Sequence, residues 1–306
     1  MKTVRPTLFS RIKSTSLPLS RNSLLFWLIL DGVYIAALFI WLPATIPPAR
    51  NFFIFHLAGM AIGSMVMYAG LGAGVLWIPI LSFLKITPME AISLSVFTQI
   101  AGKGVGSYNY IRAKMVDLKV ARHFLPYAFW GVFIGYFSGY AISVKYERLL
   151  LVIFILVACG LLFRMVQSLY LEDDKAGAGV DYKAMENSGF IVTASSFFTG
   201  MLSIGNCDWL IPHMELSLKM TTSRSVATGL FIMFFSSLFF LLLTAVSVTF
   251  GIRSWPASSP ILFATCSGVI IGGQIGTRVI KYRWFRERQK HAFIVMLACS
   301  IIHLLW

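Results

Sequence analysis

The chain has 306 residues, of which 58% are hydrophobic and only 12% are charged. Its mean hydropathy is +0.78, and such a composition excludes an ordinary soluble domain. The apolar residues form continuous runs rather than the short alternating segments of a membrane β-barrel. The sequence therefore predicts an all-α, polytopic integral membrane protein.

The formal net charge of +14 does not indicate a nucleic-acid partner. The basic residues stand mostly between apolar runs, where they set the topology and meet anionic lipid headgroups. The four cysteines lie in apolar segments without the spacing of a metal site. We therefore expect the lipid bilayer as a partner, and we expect no nucleic acid, disulfide, metal site or cofactor.

An extra helix is predicted at the start of the chain. Residues 1–23 are basic, contain no acidic residue and lead into an apolar run at 24–42. This run is longer than the apolar part of a typical signal peptide. We therefore expect a retained transmembrane helix with a cytoplasmic N-terminus.

Two sets of five apolar segments follow, and an acidic linker at 170–188 separates a first repeat, 52–169, from a second, 189–306. The segments lie at 52–69, 73–84, 90–107, 124–142 and 149–167 before the linker, and at 189–203, 207–218, 224–250, 258–280 and 291–306 after it. The second segment of each set is too short to span a core of about 30 Å as a helix. We expect a broken or re-entrant helix at both places, and the sequence leaves open which of the two it is.

Two glycine motifs recur in the same order in both sets. Gly72 precedes Pro79 by seven positions, and Gly205 precedes Pro212 by the same spacing. The second motif is a ladder of glycines four residues apart, at Gly131, Gly135 and Gly139 in the first half and at Gly268, Gly272 and Gly276 in the second. The recurrence indicates an internal repeat. Small residues on one helix face also predict close helix packing at both ladders.

Positive charge falls on opposite loops in the two repeats. The loop 108–123 is basic, whereas its counterpart 251–257 carries one arginine. Conversely, the loop 278–290 is strongly basic, whereas its counterpart 143–148 is mixed in charge. Because basic loops face the cytoplasm, the two repeats are predicted to have inverted topology, a common arrangement in secondary transporters.

The stretch 70–79 interrupts the first repeat with three glycines and ends in Pro79. Irregular backbone at membrane depth is tolerated where it lines a protein cavity, and half-helix N-termini can offer N–H donors to an anion. We therefore predict that 70–79 and 205–212 form two walls of a transport site. Gly72, Gly74, Pro79 and Pro212 are its scaffold candidates.

Each of three further candidates has a functional and a structural interpretation. Asp208 is either a proton-coupling or cation-binding group, or a carboxylate that caps a helix N-terminus. Asn206 has the same two alternatives. Lys103 either attracts an anion near the pathway or snorkels to the cytoplasmic boundary beside the basic loop, and the boundary interpretation is favoured.

Neutral polar side chains complete the set of candidates. Thr98 and Gln99 suit a polar pocket wall or an interhelical hydrogen bond. Thr228 and Gln274 are further candidates, the latter because it lies within the second glycine ladder. His56 is isolated and is expected to be a packing or boundary residue.

The signature Gly-Leu-Gly-Ala-Gly-Val-Leu-Trp-Ile-Pro at 70–79 resembles the sulfite exporter TauE/SafE family. The same resemblance extends over Thr87-Pro88-x2-Ala91-x3-Ser95, Tyr110-x-Arg112-x3-Val116-Asp117 and Arg224-Ser225-x-Ala227-Thr228, and it covers roughly 52–306. It implies export of sulfur-containing small anions, such as sulfite or organosulfonates, across the inner (cytoplasmic) membrane. The chain departs from the family before its second proline, where Asp208 stands in a run that is usually glycine-rich.

Together these observations predict a secondary transporter for a small anion, with protons as a candidate coupling ion. The first alternative is a permease or channel for another small solute, or for a cation bound at Asp208. The second is a non-transporting membrane protein or an enzyme. The sequence shows no nucleophile–base pair, Walker A motif or His-Glu-x-x-His motif, so we expect no catalytic residues.

Overall fold

The computed structural model describes residues 21–41, 49–69, 72–170, 180–204, 206–253 and 259–279, with a few residues between 291 and 302. The basic N-terminus up to residue 20 lies outside the described residues, as do Gly70 and Gly205. Most of the basic loop 278–290 and of the last predicted segment also lies outside them.

Within the described ranges the regular secondary structure is helical, as predicted. The helices are α1 (Arg21–Trp41), α2 (Ala49–Ala69), α3 (Gly74–Phe83), α4 (Pro88–Arg112), α5 (Leu118–Lys145), α6 (Glu147–Tyr170), α7 (Tyr182–Glu186), α8 (Gly189–Leu202), α9 (Asn206–Leu216), α10 (Thr222–Thr249) and α11 (Ser259–Val279).

The helices extend beyond the predicted apolar runs because their ends are polar. Helix α5 begins six residues before the predicted 124–142 segment, at the residue after Asp117. The Asp117 carboxylate accepts hydrogen bonds from the backbone N–H groups of Lys119 and Val120, at 3.1 and 3.2 Å. Such a cap satisfies donors that the first turn leaves open. The short helix α7 lies inside the predicted linker and was not predicted.

The two short segments are confirmed as short helices. Helix α3 has 10 residues and α9 has 11. At about 1.5 Å per residue each is roughly 15 Å long, about half of a bilayer core. Pro79 and Pro212 lie inside these helices. Before α9 the backbone turns at Ser203, whose φ of 60° is left-handed and ends α8.

The first glycine ladder packs α5 directly against the backbone of α8. A side-chain carbon at Gly131 would collide with the carbonyl oxygen of Thr193, and one at Gly135 with that of Phe197. The predicted close packing at this ladder is therefore confirmed.

The second ladder packs α11 against α2 in the same way. A side-chain carbon at Gly268 would collide with the carbonyl oxygen of His56. The offset along the chain from Gly131 to Gly268 equals that from His56 to Thr193. The two ladders therefore meet equivalent positions of α2 and α8.

The two halves exchange helices in their packing. Helix α2 packs on α11, α5 packs on α8, and α4 packs on α10 between them. Each half thus places its fourth helix on the first helix of the other half. Two equivalent halves would produce this pairing, and their opposite orientation in the membrane stays a prediction.

The outer surface of the helices is apolar. Residues 118–145 and 223–249 are each long and apolar enough to cross a membrane. Large apolar side chains remain exposed on α1, α2 and α5, among them Phe26, Leu57 and Trp130. Exposed apolar surface of this kind suits contact with lipid.

Candidate functional site

The two helix breaks meet inside the protein. The backbone N–H of Gly72, just before α3, donates to Oδ1 of Asp208 at 3.0 Å. Asp208 lies in the first turn of α9 and is 8% exposed. A carboxylate of the second half therefore binds a backbone donor of the first half. A side-chain carbon at Gly72 would lie only 2.9 Å from the other Asp208 oxygen, so the position has little room for a larger residue.

A second contact joins the breaks through backbone atoms. A side-chain carbon at Gly74 would collide with the carbonyl oxygen of Ser203 and would lie 2.7 Å from its carbonyl carbon. Glycine at position 74 is therefore required for this close approach. The first predicted wall thus touches Ser203, two residues before the second predicted wall at 205–212.

A chain of hydrogen bonds runs from this contact along one face of α4. The Ser203 hydroxyl donates to Oγ of Ser95 at 3.0 Å, and Nε2 of Gln99 donates to Oγ of Ser203 at 2.7 Å. The Lys103 ammonium in turn donates to Oε1 of Gln99. Ser95, Gln99 and Lys103 are four residues apart, which places them on one helix face.

Lys103 is completely buried, with 0% of its surface exposed. The favoured interpretation of a boundary lysine is therefore wrong, because a snorkelling ammonium would reach water. The Asp208 carboxylate lies within electrostatic range of the Lys103 ammonium. Burying such a charge costs several kcal/mol unless opposite charges and hydrogen bonds compensate it.

A small cavity of about 10 Å³ lies beside Lys103, between α2, α3, α4 and α11. Its polar lining includes Thr98, Gln99 and Lys103, and its apolar lining includes Met67 and Trp77. This volume is enough for about one water molecule. The cavity is therefore a small closed space at the Lys103 end of the chain of hydrogen bonds.

Two of the residues that line the cavity, Trp77 and Lys103, carry hydrogen-bond donors that the described residues do not fully use. The Nε1 donor of Trp77 is buried and has no partner among the described residues, and Trp77 is 1% exposed. The Lys103 ammonium can donate three hydrogen bonds, of which Gln99 accepts one. An indole N–H and an ammonium can both donate to an anion, and neither can accept from a cation's hydration shell.

Asn206 opens α9 with its backbone donor already paired. Its N–H donates to Oγ1 of Thr199 at 2.9 Å, and its side-chain amide donates to Oγ of Ser236 at 3.2 Å. The N–H of Gly72 is likewise taken by Asp208. The half-helix donors expected to bind an anion are thus bonded within the protein at these two positions.

The remaining candidates lie away from the cavity. Thr228 accepts a hydrogen bond from the backbone N–H of Asp117 at 3.0 Å, near the α4–α5 connection. Gln274 is fully buried on α11 but does not line the cavity, and neither do Pro79 and Pro212. The structure therefore brings together two groups of candidates, one around the touching breaks and one around Lys103.

Asp117, which caps α5 of the first half, hydrogen-bonds both α10 of the second half and the linker helix α7. Its Oδ2 accepts from the Tyr182 hydroxyl at 3.2 Å and from the Arg224 guanidinium at 3.3 Å. The Lys119 ammonium lies 4.0 Å from the centre of the Tyr182 ring. Desolvation, together with the Asp117 carboxylate, raises the pKa of Tyr182.

Sequence reasoning missed Ser95, Ser203 and Trp77 as members of the site. Ser95 and Trp77 stand in the family-like motifs, and the four-residue spacing of Ser95, Gln99 and Lys103 was a signal for a shared polar face. Ser203 carried no local signal, because its role follows from a backbone turn that only the folded chain shows.

Polar sites where two short helices meet inside an all-α membrane protein are common in secondary transporters. The family model described as Sulfite exporter TauE/SafE matches residues 55–304. The chain therefore belongs to this family of membrane transporters, and the resemblance of the 70–79 motif is confirmed.

A curated relative supports the same class. The chain is 26% identical over 208 residues to the Probable membrane transporter protein YunE of Bacillus subtilis (strain 168). The aligned region covers 61% of this chain and 76% of that protein. No solved structure matches the chain. Helix α1 precedes the region that the family model matches.

Proposed function

We propose that the protein transports small sulfur-containing anions, sulfite or organosulfonates, across the cytoplasmic membrane, and that the anion binds beside Lys103. The observation that carries this proposal is a fully buried ammonium beside a small cavity that is also lined by Trp77, whose indole donor is unpaired in the described part of the chain. The family's description as sulfite exporters supplies the substrate class and the outward direction.

Charge favours an anion at this place. Asp208 lies within electrostatic range of Lys103 and already accepts a hydrogen bond from Gly72. A bound sulfite or sulfonate would add negative charge and would accept hydrogen bonds from Lys103 and Trp77. The alternative of a cation at Asp208 has less support, because the Lys103 charge would repel it.

The size of the cavity indicates that the site is closed. A volume of about 10 Å³ holds about one water molecule, and a sulfite ion is several times larger. The lining helices must separate before the anion enters. The contact between Gly74 and Ser203 is the seam that would part as the site opens to one side of the membrane.

Proton coupling is proposed to act through Asp208. With Lys103 charged and Asp208 ionised, the two charges balance. A proton on Asp208 leaves a net positive site that binds an anion more tightly. Proton and anion would then cross together, and an outward flux would be driven by the anion gradient or by a pH gradient that is more acidic inside.

Flux measurements in proteoliposomes test the proposal. Purified protein should exchange radiolabelled sulfite and methanesulfonate across the bilayer faster than protein-free liposomes do, with chloride much slower. A pH gradient should drive net accumulation. Equal flux of chloride would instead indicate an unselective anion channel, and no flux of either sulfur anion would refute the proposed substrate class.

A further inference from the structure

Three polar side chains meet between α1, α2 and α11, apart from the proposed anion site. The Nε2 atom of His56 lies 3.6 Å from a carboxylate oxygen of Asp31, and the Nδ1 atom lies 2.8 Å from Oγ of Ser267. His56 is 8% exposed. His56, expected to be an isolated packing or boundary residue, therefore has two polar partners. Its partners stand far from it in the chain.

We propose that Asp31, His56 and Ser267 form a proton-binding site within the membrane domain, and that the proton on His56 controls the rate of transport. The proposal rests on the proposed transport function for its effect on rate. The proton site itself rests only on the three side chains. Ionisable side chains inside membrane segments are rare and are functional candidates by default.

The hydrogen-bond geometry accommodates both protonation states of His56 without movement of heavy atoms. The Ser267 hydroxyl can also donate to the carbonyl oxygen of Ala264, at 3.1 Å. When His56 is neutral with its proton on Nε2, that N–H faces Asp31 and the Ser267 hydroxyl donates to Nδ1. When a proton binds at Nδ1, this N–H donates to Oγ of Ser267, and the hydroxyl turns to Ala264. Uptake of one proton therefore requires only rotation of one hydroxyl.

The Asp31 carboxylate stabilises the charged form of the ring. It faces Nε2, which carries a proton in both states, and so its attraction grows when the imidazole becomes imidazolium. Tyr34 on α1 lies within electrostatic range of this carboxylate, and Cys266 on α11 lies within range of Tyr34. Both are neutral in their ordinary forms, so the charge of the cluster is set by Asp31 and His56.

The cluster lies on the two helices that also line the cavity. The carbonyl oxygen of His56 lies against Gly268 in the packed seam between α2 and α11. Further along the same helices, Gly63 of α2 and Val269 of α11 line the cavity beside Lys103. A change of charge at His56 therefore acts on the packed pair α2 and α11, which forms one side of the cavity that must open for the anion.

Asp31 comes from outside the region that the family model matches, which begins at residue 55. The carboxylate is thus added to a histidine of the family core by the extra helix α1. This helix packs on α11. In this chain, α1 supplies Asp31, one of the three side chains of the proton site, and does not merely lie at the edge of the bundle.

Exchange of radiolabelled methanesulfonate at equal pH on both sides tests the effect on rate. This probe stays ionised over the range used, and equal pH removes any driving force from proton coupling at Asp208. The wild-type rate should show a step between about pH 5 and pH 9. His56→Gln should remove this step, and Asp31→Asn should move it. His123→Gln and Asp181→Asn serve as matched controls, and both should keep the wild-type step.

Nuclear magnetic resonance of histidine-labelled protein reports the proton site without transport. The ring signal that His56→Gln removes should change with pH in the wild type, and Asp31→Asn should alter that change. A His56 ring that does not change over this range would overturn the proton site. A rate step that survives His56→Gln would overturn its control of transport. Absence of methanesulfonate and sulfite exchange in the wild type would refute the proposed function alone, because the ring titration would still decide the site.

Discussion

Replacement of Lys103 by methionine should weaken anion binding and leave the fold intact. Methionine has nearly the length and shape of the lysine stem but no charge, and Lys103 is completely buried. The change removes both the charge that attracts the anion and the donor bonded to Gln99. It also removes the cost of burying an ammonium but leaves the buried Asp208 without its opposite charge, so we expect the fold to be kept with some loss of folding stability.

The magnitude follows from the kind of contact that is lost. A hydrogen bond between charged groups contributes about 1.5–3 kcal/mol. Since about 1.4 kcal/mol corresponds to a factor of ten, Lys103→Met should raise the apparent KM for sulfite or methanesulfonate roughly 10- to 100-fold. Lys103→Arg keeps the charge but not the size. It should therefore lose less affinity than the methionine variant if charge is the main contribution.

Counterflow of radiolabelled methanesulfonate in proteoliposomes measures this KM. Lys145→Met is the matched control, since Lys145 lies at the exposed end of α5, far along the chain from the cavity lining. Size-exclusion profiles in detergent report whether each variant is folded. An unchanged KM in a folded Lys103→Met protein would refute the role of this lysine in anion binding.

Three further substitutions test the touching breaks and the Asp117 contacts. Gly74→Ala should stop transport or lower the melting temperature, because the new methyl group collides with Ser203; Gly160→Ala, which meets nothing within 4 Å, is the control. Asp208→Asn should keep counterflow but lose accumulation driven by a pH gradient, since an amide still accepts from a backbone N–H but takes up no proton. Asp117→Ala should lower the free energy of unfolding by about 1–2 kcal/mol, read from thermal melts, because α5 loses its cap. Wild-type pH-driven accumulation in Asp208→Asn would contradict the coupling role, and an unchanged melting temperature in Asp117→Ala would contradict the cap's contribution.

The helices and their breaks could be predicted because their signals are local. Apolar runs, glycines and prolines report the backbone near themselves, and so the short helices α3 and α9 were expected at nearly their observed bounds. The glycine ladders also reveal their packing, since small residues four apart serve few other purposes in a membrane helix.

The partners of the polar side chains could not be predicted in this way. Asp208 bonds the N–H of Gly72 and His56 bonds Ser267, across 136 and 211 positions of the chain. Such pairs depend on the packing of helices that are distant in sequence. Lys103 shows the same limit, because its burial depends on neighbours from α2, α3 and α11.

The glycine ladders have a consequence for how the protein can move. They lock α2 to α11 and α5 to α8, and each of these arms holds one helix from each half. The two halves are therefore interlocked through these helix pairs and cannot separate as two rigid lobes. Opening to either side must instead rotate the two mixed arms against the central pair α4 and α10. The groups of helices that would move as rigid bodies thus differ from the two repeats into which the sequence divides.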